Sequence, residues 1–210
     1  MAKIYFYYSA MNAGKSTTLL QSSYNYIERG MQTLLFAPQI DERFGKPTIY
    51  SRIGLKQDAI GFDREMNLYD YVKSAIESLK KLKCILIDEA HFLTKNQVKD
   101  LTKITTDLQI PVLCYGLRSD FKGEPFEGSL YLLAWAQEII EIKTICHCGR
   151  KATMNLRVDS HGRPIEEGAQ IQIGGNESYI STCMKHFRMS NKAFSESKES
   201  LFKENHKVSV

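Results

Sequence analysis

The chain has 210 residues, of which 43% are hydrophobic and 25% are charged, and its formal net charge is +4. This length holds one full domain and a small additional unit, and it excludes a third domain. The composition is that of an ordinary globular protein and excludes disorder throughout the chain. Because the basic residues are scattered among acidic ones and the net charge is small, charge gives no argument for a nucleic-acid partner.

The sequence shows no membrane helix and no secretion signal, and the expected location of the protein follows from this. No apolar run approaches the roughly 18 residues of a membrane helix, and no basic segment followed by an apolar one opens the chain. The five cysteines, an odd number, also argue against a disulfide framework. We therefore expect a cytoplasmic protein without a membrane partner.

The first predicted strand, Ile4 to Tyr8, leads into a glycine-containing loop, and a helix-compatible run to Glu28 follows, closed by Gly30. This order is typical of a phosphate-binding loop, and the loop residues are Ser9, Ala10, Met11, Asn12, Ala13, Gly14, Lys15 and Ser16.

In such a loop, backbone N–H groups face one anion, Lys15 reaches the β- and γ-phosphates, and the Ser16 hydroxyl binds Mg²⁺. Ser9 stands where glycine is usual, which costs little if its φ is negative. The alternative is a strand-to-helix turn with an exposed lysine. We favour a nucleoside triphosphate site.

Short apolar runs alternate with amphipathic stretches up to about residue 143. The predicted strands are Ile4 to Tyr8, Thr33 to Ala37, Cys84 to Ile87, Val112 to Tyr115 and Ile139 to Ile142; the predicted helices are Lys15 to Glu28, Asn67 to Lys80, Thr94 to Asp107 and Gly128 to Ala136. Continuous apolar strands separated by helices predict an α/β fold with a mainly parallel sheet and helices on both faces. Ligands in this class bind at the carboxyl ends of the strands.

Two adjacent carboxylates, Asp88 and Glu89, follow the predicted strand Cys84 to Ile87. In phosphate-loop proteins an aspartate at such a strand end holds the Mg²⁺ of the nucleotide, which makes Asp88 the candidate ligand. Glu89 can face differently and accept a proton from an attacking hydroxyl. Polar residues at the ends of buried strands are also common. The Asp-Glu pair therefore indicates a nucleotide site only in combination with the phosphate loop.

The alternation of strand-like and helix-like stretches ends at Lys143, and the sequence beyond it contains cysteines, glycines and short strand-like segments. Met154 to Val158 and Gln170 to Ile173 flank a turn signal and predict a hairpin. We predict a nucleotide-binding domain over 1–143, a small second domain over 144–190, and a polar tail over 191–210 in which disorder is expected.

Two pairs of soft or borderline ligands flank this hairpin, and they predict a closed tetrahedral Zn²⁺ site made of Cys146, Cys148, Cys183 and His186. Such a metal would stabilise a unit too small to build its own core. His147 lies between two ligand cysteines and is either an alternate ligand or none. Cys84 and Cys114 lie in apolar strands and are interpreted as small buried hydrophobic residues.

These motifs occur together with Ile173-Gly174-Gly175-Asn176-Glu177-Ser178-Tyr179, and the combination resembles the cellular-type (type II) thymidine kinase family, most closely its bacterial branch. The resemblance extends from Ile4 to about His186. It implies a RecA-like P-loop fold with a small zinc-containing β domain. It also implies transfer of the ATP γ-phosphate to the 5′-hydroxyl of thymidine or deoxyuridine, a reaction of nucleotide salvage.

The resemblance assigns roles to the residues already singled out. It implies ATP binding by Ser9 to Ser16 and by Asp88, Glu89, Ala90 and His91, with Mg²⁺ at Ser16 and Asp88. Glu89 becomes the catalytic base, and Lys15 and Arg43 become the catalytic cations.

The nucleoside would lie beneath a zinc-anchored loop, Gly168 to Tyr179, whose glycines allow close backbone approach. The implied contacts from this part of the chain are Gln172, Ile173, Gly174, Gly175 and Tyr179. The implied apolar pocket consists of Met11, Phe92, Leu117, Phe121 and Phe126, although any of these aromatic and aliphatic residues could simply belong to the core.

The chain departs from the family at three places: Ser9 replaces a glycine, His186 replaces a fourth cysteine of animal members, and Cys146-x-Cys148 is one residue shorter. The family also implies a homotetramer and feedback inhibition by dTTP. The apolar stretch Leu130 to Trp135 fits either an interface or the core.

Two alternative functions would also use the phosphate-binding loop. A RecA-like ATPase whose zinc module contacts nucleic acid would need a basic groove and a second motor domain, which the length and charge do not supply. A regulatory nucleotide-binding module without catalysis would not need Glu89.

Overall fold

The computed structural model describes residues 1–39, 47–165, 167–170 and 178–190. Some of the predicted site residues lie outside this part of the chain, as does the predicted tail: Arg43, Gln172, Ile173, Gly174, Gly175 and 191–210.

Most described residues belong to short strands and helices in alternation. The strands are β1 (Ile4–Ser9), β2 (Gln32–Pro38), β3 (Thr48–Tyr50), β4 (Lys56–Asp58), β5 (Ile60–Phe62), β6 (Leu82–Ile87), β7 (Val112–Leu117), β8 (Glu138–Glu141), β9 (Thr144–Ile145), β10 (Lys151–Ala152), β11 (Met154–Arg157) and β12 (Tyr179–Thr182). The helices are α1 (Lys15–Glu28), α2 (Leu68–Ser78), α3 (Lys95–Asp107), α4 (Glu127–Trp135), a 3-10 helix at Ala90–Phe92, and a final helix over residues 184–190.

The main sheet has six strands in the order β5-β2-β6-β7-β1-β8, and every pairing within it is parallel. Helix α1 packs on one face through Leu19 and Leu20, while helices α2, α3 and α4 cover the other face. The predicted α/β class, a mainly parallel sheet with helices on both faces, is confirmed.

Strand β6 shows why its sequence is continuously apolar. Ile85 and Ile87 belong to the core on the α3 side, whereas Cys84 and Leu86 belong to the core beneath α1. Successive side chains of a strand face opposite sides, so a strand covered on both sides has no polar face. Cys84 and Cys114 are fully buried, in agreement with their interpretation as core residues.

Local signals fix the ends of the helices. Thr94 and Gln97 form a capping box at the start of α3, in which each side chain bonds the other's backbone N–H. Gly30 follows α1 with φ 72° and donates its N–H to Ile27, as expected for a glycine that ends a helix.

Some elements were not predicted. Strand β5 and the β3–β4 hairpin are each three residues long per strand, too short to produce a periodic pattern. The strand that pairs with β11 is β12, in antiparallel register, whereas the sequence favoured Gln170 to Ile173. Gln170 lies outside any strand, and 171–173 are not described.

No helix in the described ranges is both long and apolar enough to cross a membrane.

Helix α4 approaches the backbone of the 3-10 helix very closely at Gly128. A Cβ atom at this position would lie 2.6 Å from the Ala90 carbonyl oxygen and 2.8 Å from the Leu93 carbonyl oxygen. Ser129 strengthens the contact by donating its hydroxyl to the Leu117 carbonyl oxygen at the end of β7. The segment after Asp88 is therefore held between β7 and α4.

We expect Gly128→Ala to destabilise the protein by about 1–3 kcal/mol, because backbone atoms must move to admit the methyl group. Urea unfolding measures this loss. Ser74→Ala, at an exposed position of α2, is the matched control and should be neutral or slightly stabilising, since alanine favours helix. Equal stability of Gly128→Ala and the parent would contradict the close approach.

Candidate active site and metal site

The phosphate loop begins at the carboxyl end of β1, which lies between β7 and β8 in the parallel sheet, and it includes the first two residues of α1. Asn12 and Gly14 have positive φ angles of 61° and 86°, which turn the loop sharply. Ser9 is not among the residues with positive φ, so serine replaces glycine there without backbone strain. The N-terminus of α1 thus faces the space over the loop, where N–H groups favour an anion.

The Lys15 side chain is buried within this loop. Its ammonium donates to the Ser9 hydroxyl at 3.3 Å and to the Ala10 carbonyl oxygen at 3.4 Å. Burial lowers the pKa of Lys15, although the nearby carboxylates of Glu89 and Asp88 oppose this effect. A buried cation with neutral hydrogen-bond partners is well placed to attract a phosphate.

Ser16 and Asp88, the predicted Mg²⁺ ligands, are in direct contact. The Ser16 hydroxyl donates to Asp88 Oδ2 at 3.0 Å. Burial, followed by the charge of Glu89, raises the pKa of Asp88 to about 7. Two adjacent hard oxygen donors at the carboxyl edge of a parallel sheet fit Mg²⁺, and a bound cation would favour the ionised carboxylate.

Glu89 has an unusual backbone conformation for a residue with a side chain, with φ 48° and ψ 39°. Its N–H donates to Asp88 Oδ1 at 3.0 Å, and its side chain is 40% exposed, in contrast to the buried Asp88. Left-handed backbone costs free energy and occurs often at functional sites. The two adjacent carboxylates therefore have different surroundings, one buried against Ser16 and the other accessible.

His91 lies behind Glu89. Its Nδ1 accepts the Leu117 N–H at 3.3 Å and lies 3.3 Å from Glu89 Oε2. Burial, followed by the charge of Lys15, lowers the pKa of His91 well below its usual value, so the imidazole is neutral. A neutral ring whose Nδ1 already accepts an N–H forms no ion pair with the Glu89 carboxylate.

The predicted nucleoside pocket separates into two aromatic groups. Phe126 packs on His91 with ring centroids 4.5 Å apart and meets the edge of Phe92 at 6.0 Å. Phe121 lies instead beneath the guanidinium of Arg157, whose carbon is 5.4 Å from the ring centroid. Leu117, Phe121 and Phe126 are buried.

Tyr179, at the start of β12, belongs to the Phe121 group. Burial raises its pKa, and the charge of Arg157 opposes the increase, while Asp120 adds to it. Asp120 is buried and accepts the N–H groups of Lys122 and Glu124, which fixes the turn that carries Phe121.

The four predicted zinc ligands come together. The ligand atoms of Cys146, Cys148, Cys183 and His186 all lie within 4.8 Å of one another. The Cys148 and Cys183 sulfurs are 3.9 Å apart, and His186 Nδ1 is 3.3 Å from the Cys146 sulfur and 3.6 Å from the Cys183 sulfur. Zn–S bonds of about 2.3 Å in a tetrahedron place two sulfurs about 3.8 Å apart, so this set fits zinc.

The surroundings of Cys146 favour its thiolate form. Although burial disfavours the charged form of Cys146, hydrogen bonds from the Cys148 backbone and the His186 ring lower its pKa. The His147 ring stacks on that of His186 with centroids 4.2 Å apart and lies outside the four-residue set.

Several residues at the site had not been predicted from the sequence. Asn155 and Ser181 both bond the backbone of Met11, and Arg157 covers Phe121. Asparagine is rare in strands, so a buried Asn155 within an apolar run was a usable signal. Ser181 and Arg157 gave none.

Comparison with known proteins bears on this combination of sites. A sequence model of the thymidine kinase family matches residues 2–187. The thymidine kinase of Coxiella burnetii is 60% identical over 189 residues, 90% of this chain and 96% of the relative. That of Legionella pneumophila is 62% identical over 188 residues, 90% of each chain, and that of Shewanella oneidensis is 59% identical over 188 residues, 90% of this chain and 97% of the relative.

The chain belongs to the thymidine kinase family. The matched residues include both the phosphate loop and the Cys/His cluster. The predicted resemblance and the predicted enzyme class are confirmed, and the roles of individual site residues remain predictions.

We expect Cys148→Ser to weaken zinc retention at least tenfold, because it removes one of the four ligands and, being exposed, disturbs little packing. Zinc per chain, measured by mass spectrometry after a challenge with chelator, tests this. Cys114→Ala is the control: it removes a thiol far from the cluster and should retain zinc equal to the parent. Equal retention by Cys148→Ser would remove Cys148 from the ligand set.

Proposed function

We propose that this protein transfers the γ-phosphoryl group of ATP to the 5′-hydroxyl of thymidine, and of deoxyuridine, giving ADP and the nucleoside monophosphate, dTMP in the first case. The observation that carries the proposal is the grouping of Lys15, Ser16, Asp88 and Glu89 at one edge of the sheet in a chain of this family. Phosphoryl transfer needs positioning and charge neutralisation more than covalent chemistry.

The phosphate donor would bind over the loop Ser9 to Ser16. N–H groups of the loop and of the first turn of α1 would cradle the phosphates, and the Lys15 ammonium would exchange its weak neutral partners for phosphate oxygens. Ser16 and Asp88 would hold Mg²⁺, which when bound supplies positive charge to the β- and γ-phosphates. Ala90, His91 and Arg43 are the further residues that we assign to this side of the site.

Glu89 would act as the general base. Its carboxylate takes the proton of the nucleoside 5′-hydroxyl while that oxygen forms a bond to the γ-phosphorus and the bond to the β–γ bridging oxygen breaks, which leaves ADP. The accessible position of Glu89 and its strained backbone support this role. Asp88 is less suited to it, since it is buried and bonded to Ser16.

The thymine base would bind between the two aromatic groups. Phe121, Phe126, Leu117 and Phe92 would form its apolar walls, with Met11 near the C5-methyl group and Tyr179 near the sugar or base. Gln172, Ile173, Gly174 and Gly175 would contact the nucleoside from the loop that precedes Tyr179.

The remaining properties are proposed on the strength of the family. The chain would consist of a kinase domain over 1–143, a zinc-stabilised domain over 144–190 and a separate tail over 191–210. It would work in the cytoplasm as a homotetramer, bind no nucleic acid, and be inhibited by dTTP. The exposed Leu130 and Leu133 on α4 agree with an interface, while Leu132 between them is buried in the core.

We expect ADP release to require a nucleoside and to be confined to thymidine and deoxyuridine. A coupled assay with Mg·ATP and each deoxynucleoside in turn measures this. ADP release without nucleoside, or only with added DNA or RNA, would replace the kinase by the RecA-like ATPase.

We expect Glu89→Gln to lower kcat for thymidine by about 10²–10⁴-fold with a much smaller change in KM, because the amide cannot accept the proton. Steady-state kinetics measure both constants. Glu65→Gln, on the exposed loop before α2, is the matched control and should match the parent. Full turnover by Glu89→Gln would exclude Glu89 as the base.

A further inference from the structure

Both polar backbone groups of Met11, in the middle of the phosphate loop, are bonded to the β11–β12 hairpin. The Asn155 side-chain oxygen accepts the Met11 N–H at 2.8 Å, and the Ser181 hydroxyl donates to the Met11 carbonyl oxygen. Asn155 and Ser181 are paired directly across the two strands. Side chains of such a pair stand on the same face of the hairpin, so they reach the loop side by side.

We propose that Asn155 and Ser181 are positioning residues for phosphate binding: together they hold Met11, and through it the loop, in the conformation that receives the nucleotide. This inference rests on the proposed function in assigning the loop to ATP. Neither side chain needs to touch the nucleotide. We call the pair the Met11 clamp.

The conformation of the loop explains why it needs such a clamp. Asn12, the next residue, has a φ of 61°, and Gly14 has a φ of 86°. A non-glycine residue remains in left-handed backbone only where its surroundings impose it. With both the N–H and the carbonyl of Met11 fixed, the peptide planes on each side of Met11 cannot rotate, and the turn at Asn12 is imposed from the N-terminal side.

The clamp is itself rigid. Asn155 is 3% exposed, and its amide nitrogen also donates to the Ser119 carbonyl oxygen at 3.4 Å, which directs the amide oxygen toward Met11. Ala10, the residue before Met11, packs in one buried cluster with Cys146, Ala152 and Cys183. The loop therefore rests on the hairpin and on the Cys/His site, through polar contacts at one residue and apolar contacts at its neighbour.

The direction of the contact matters for function. The Met11 N–H is used by Asn155, so it is not among the N–H groups that face an anion. The hairpin thus contacts the loop through a group that does not face the proposed phosphate site. Since Ser119 lies two residues before Phe121, the same asparagine also joins the loop to the turn that carries a proposed nucleoside contact.

The test removes the clamp and measures nucleotide affinity in the full-length protein. Ser181→Ala deletes the hydroxyl, and Asn155→Leu keeps the shape of the side chain without its acceptor. We expect each to weaken Mg·ADP binding about 5-fold, measured by calorimetry, and the double variant to weaken it more than 10-fold. The KM for ATP should rise in parallel, with a smaller change in the dissociation constant of thymidine.

Conservative variants and a neighbour separate positioning from general damage. Ser181→Thr keeps the hydroxyl and should restore Mg·ADP affinity to within about twofold of the parent. Thr182→Val is the matched control: its hydroxyl is buried without a hydrogen-bond partner among the described residues, and its side chain faces the other side of β12. It should leave affinity and turnover unchanged.

The outcomes are distinguishable. Parent-like Mg·ADP affinity in the double variant would overturn the clamp. Equal losses of ADP and thymidine affinity together with lost zinc would also overturn it, since that pattern belongs to a purely structural role. If the parent binds Mg·ADP but phosphorylates no nucleoside, the proposed function fails, whereas the comparison of ADP affinities still decides the clamp.

Discussion

Opposite charges are buried together at the carboxyl ends of the sheet strands, and the other features of the site are arranged around this constraint. Lys15 and Asp88 are both buried. Burial lowers the pKa of Lys15 and raises the pKa of Asp88, which favours the neutral form of each side chain. Among the described residues, neither side chain has an ion-pair partner that fully compensates its charge, since Lys15 bonds neutral oxygens and Asp88 bonds a hydroxyl. The triphosphate and the divalent cation that we propose as ligands carry the charges that this arrangement favours.

This arrangement requires a backbone that cannot relax. The segment that follows Asp88 turns through the left-handed Glu89 and is then held between β7 and α4. Gly116 and Gly128 allow that approach, because a Cβ at either position would press on backbone atoms of residues 90–93. The different exposure of Asp88 and Glu89 is therefore a property of the packing of three elements, and two glycines without a direct role in chemistry maintain it.

Features encoded locally in the chain were predictable from the sequence. The loop around Lys15, the acids after β6 and the cysteine and histidine pairs have fixed spacings, and the continuously apolar strands indicated a sheet covered on both faces. The asparagine at position 155 stood out within its apolar run, but its contact with the loop could not be found in this way, and Ser181 gave no signal. Their role depends on the pairing of β11 with β12, which follows a long connection, and on which face of that hairpin meets the loop. Neither the register nor the docking of a two-stranded piece is encoded in its residue pattern.

The contacts of Met11 also set an order of events during synthesis. Its partners lie 144 and 170 positions further along the chain. Strand β1 itself is paired with β7 and β8, which are translated long after it. The amino-terminal loop is thus the first part of the site to leave the ribosome and the last to acquire its support. A nascent chain that ends before β12 contains every residue of the loop but lacks Ser181 and the strand that pairs with Asn155, and high nucleotide affinity should arise only when translation is nearly complete.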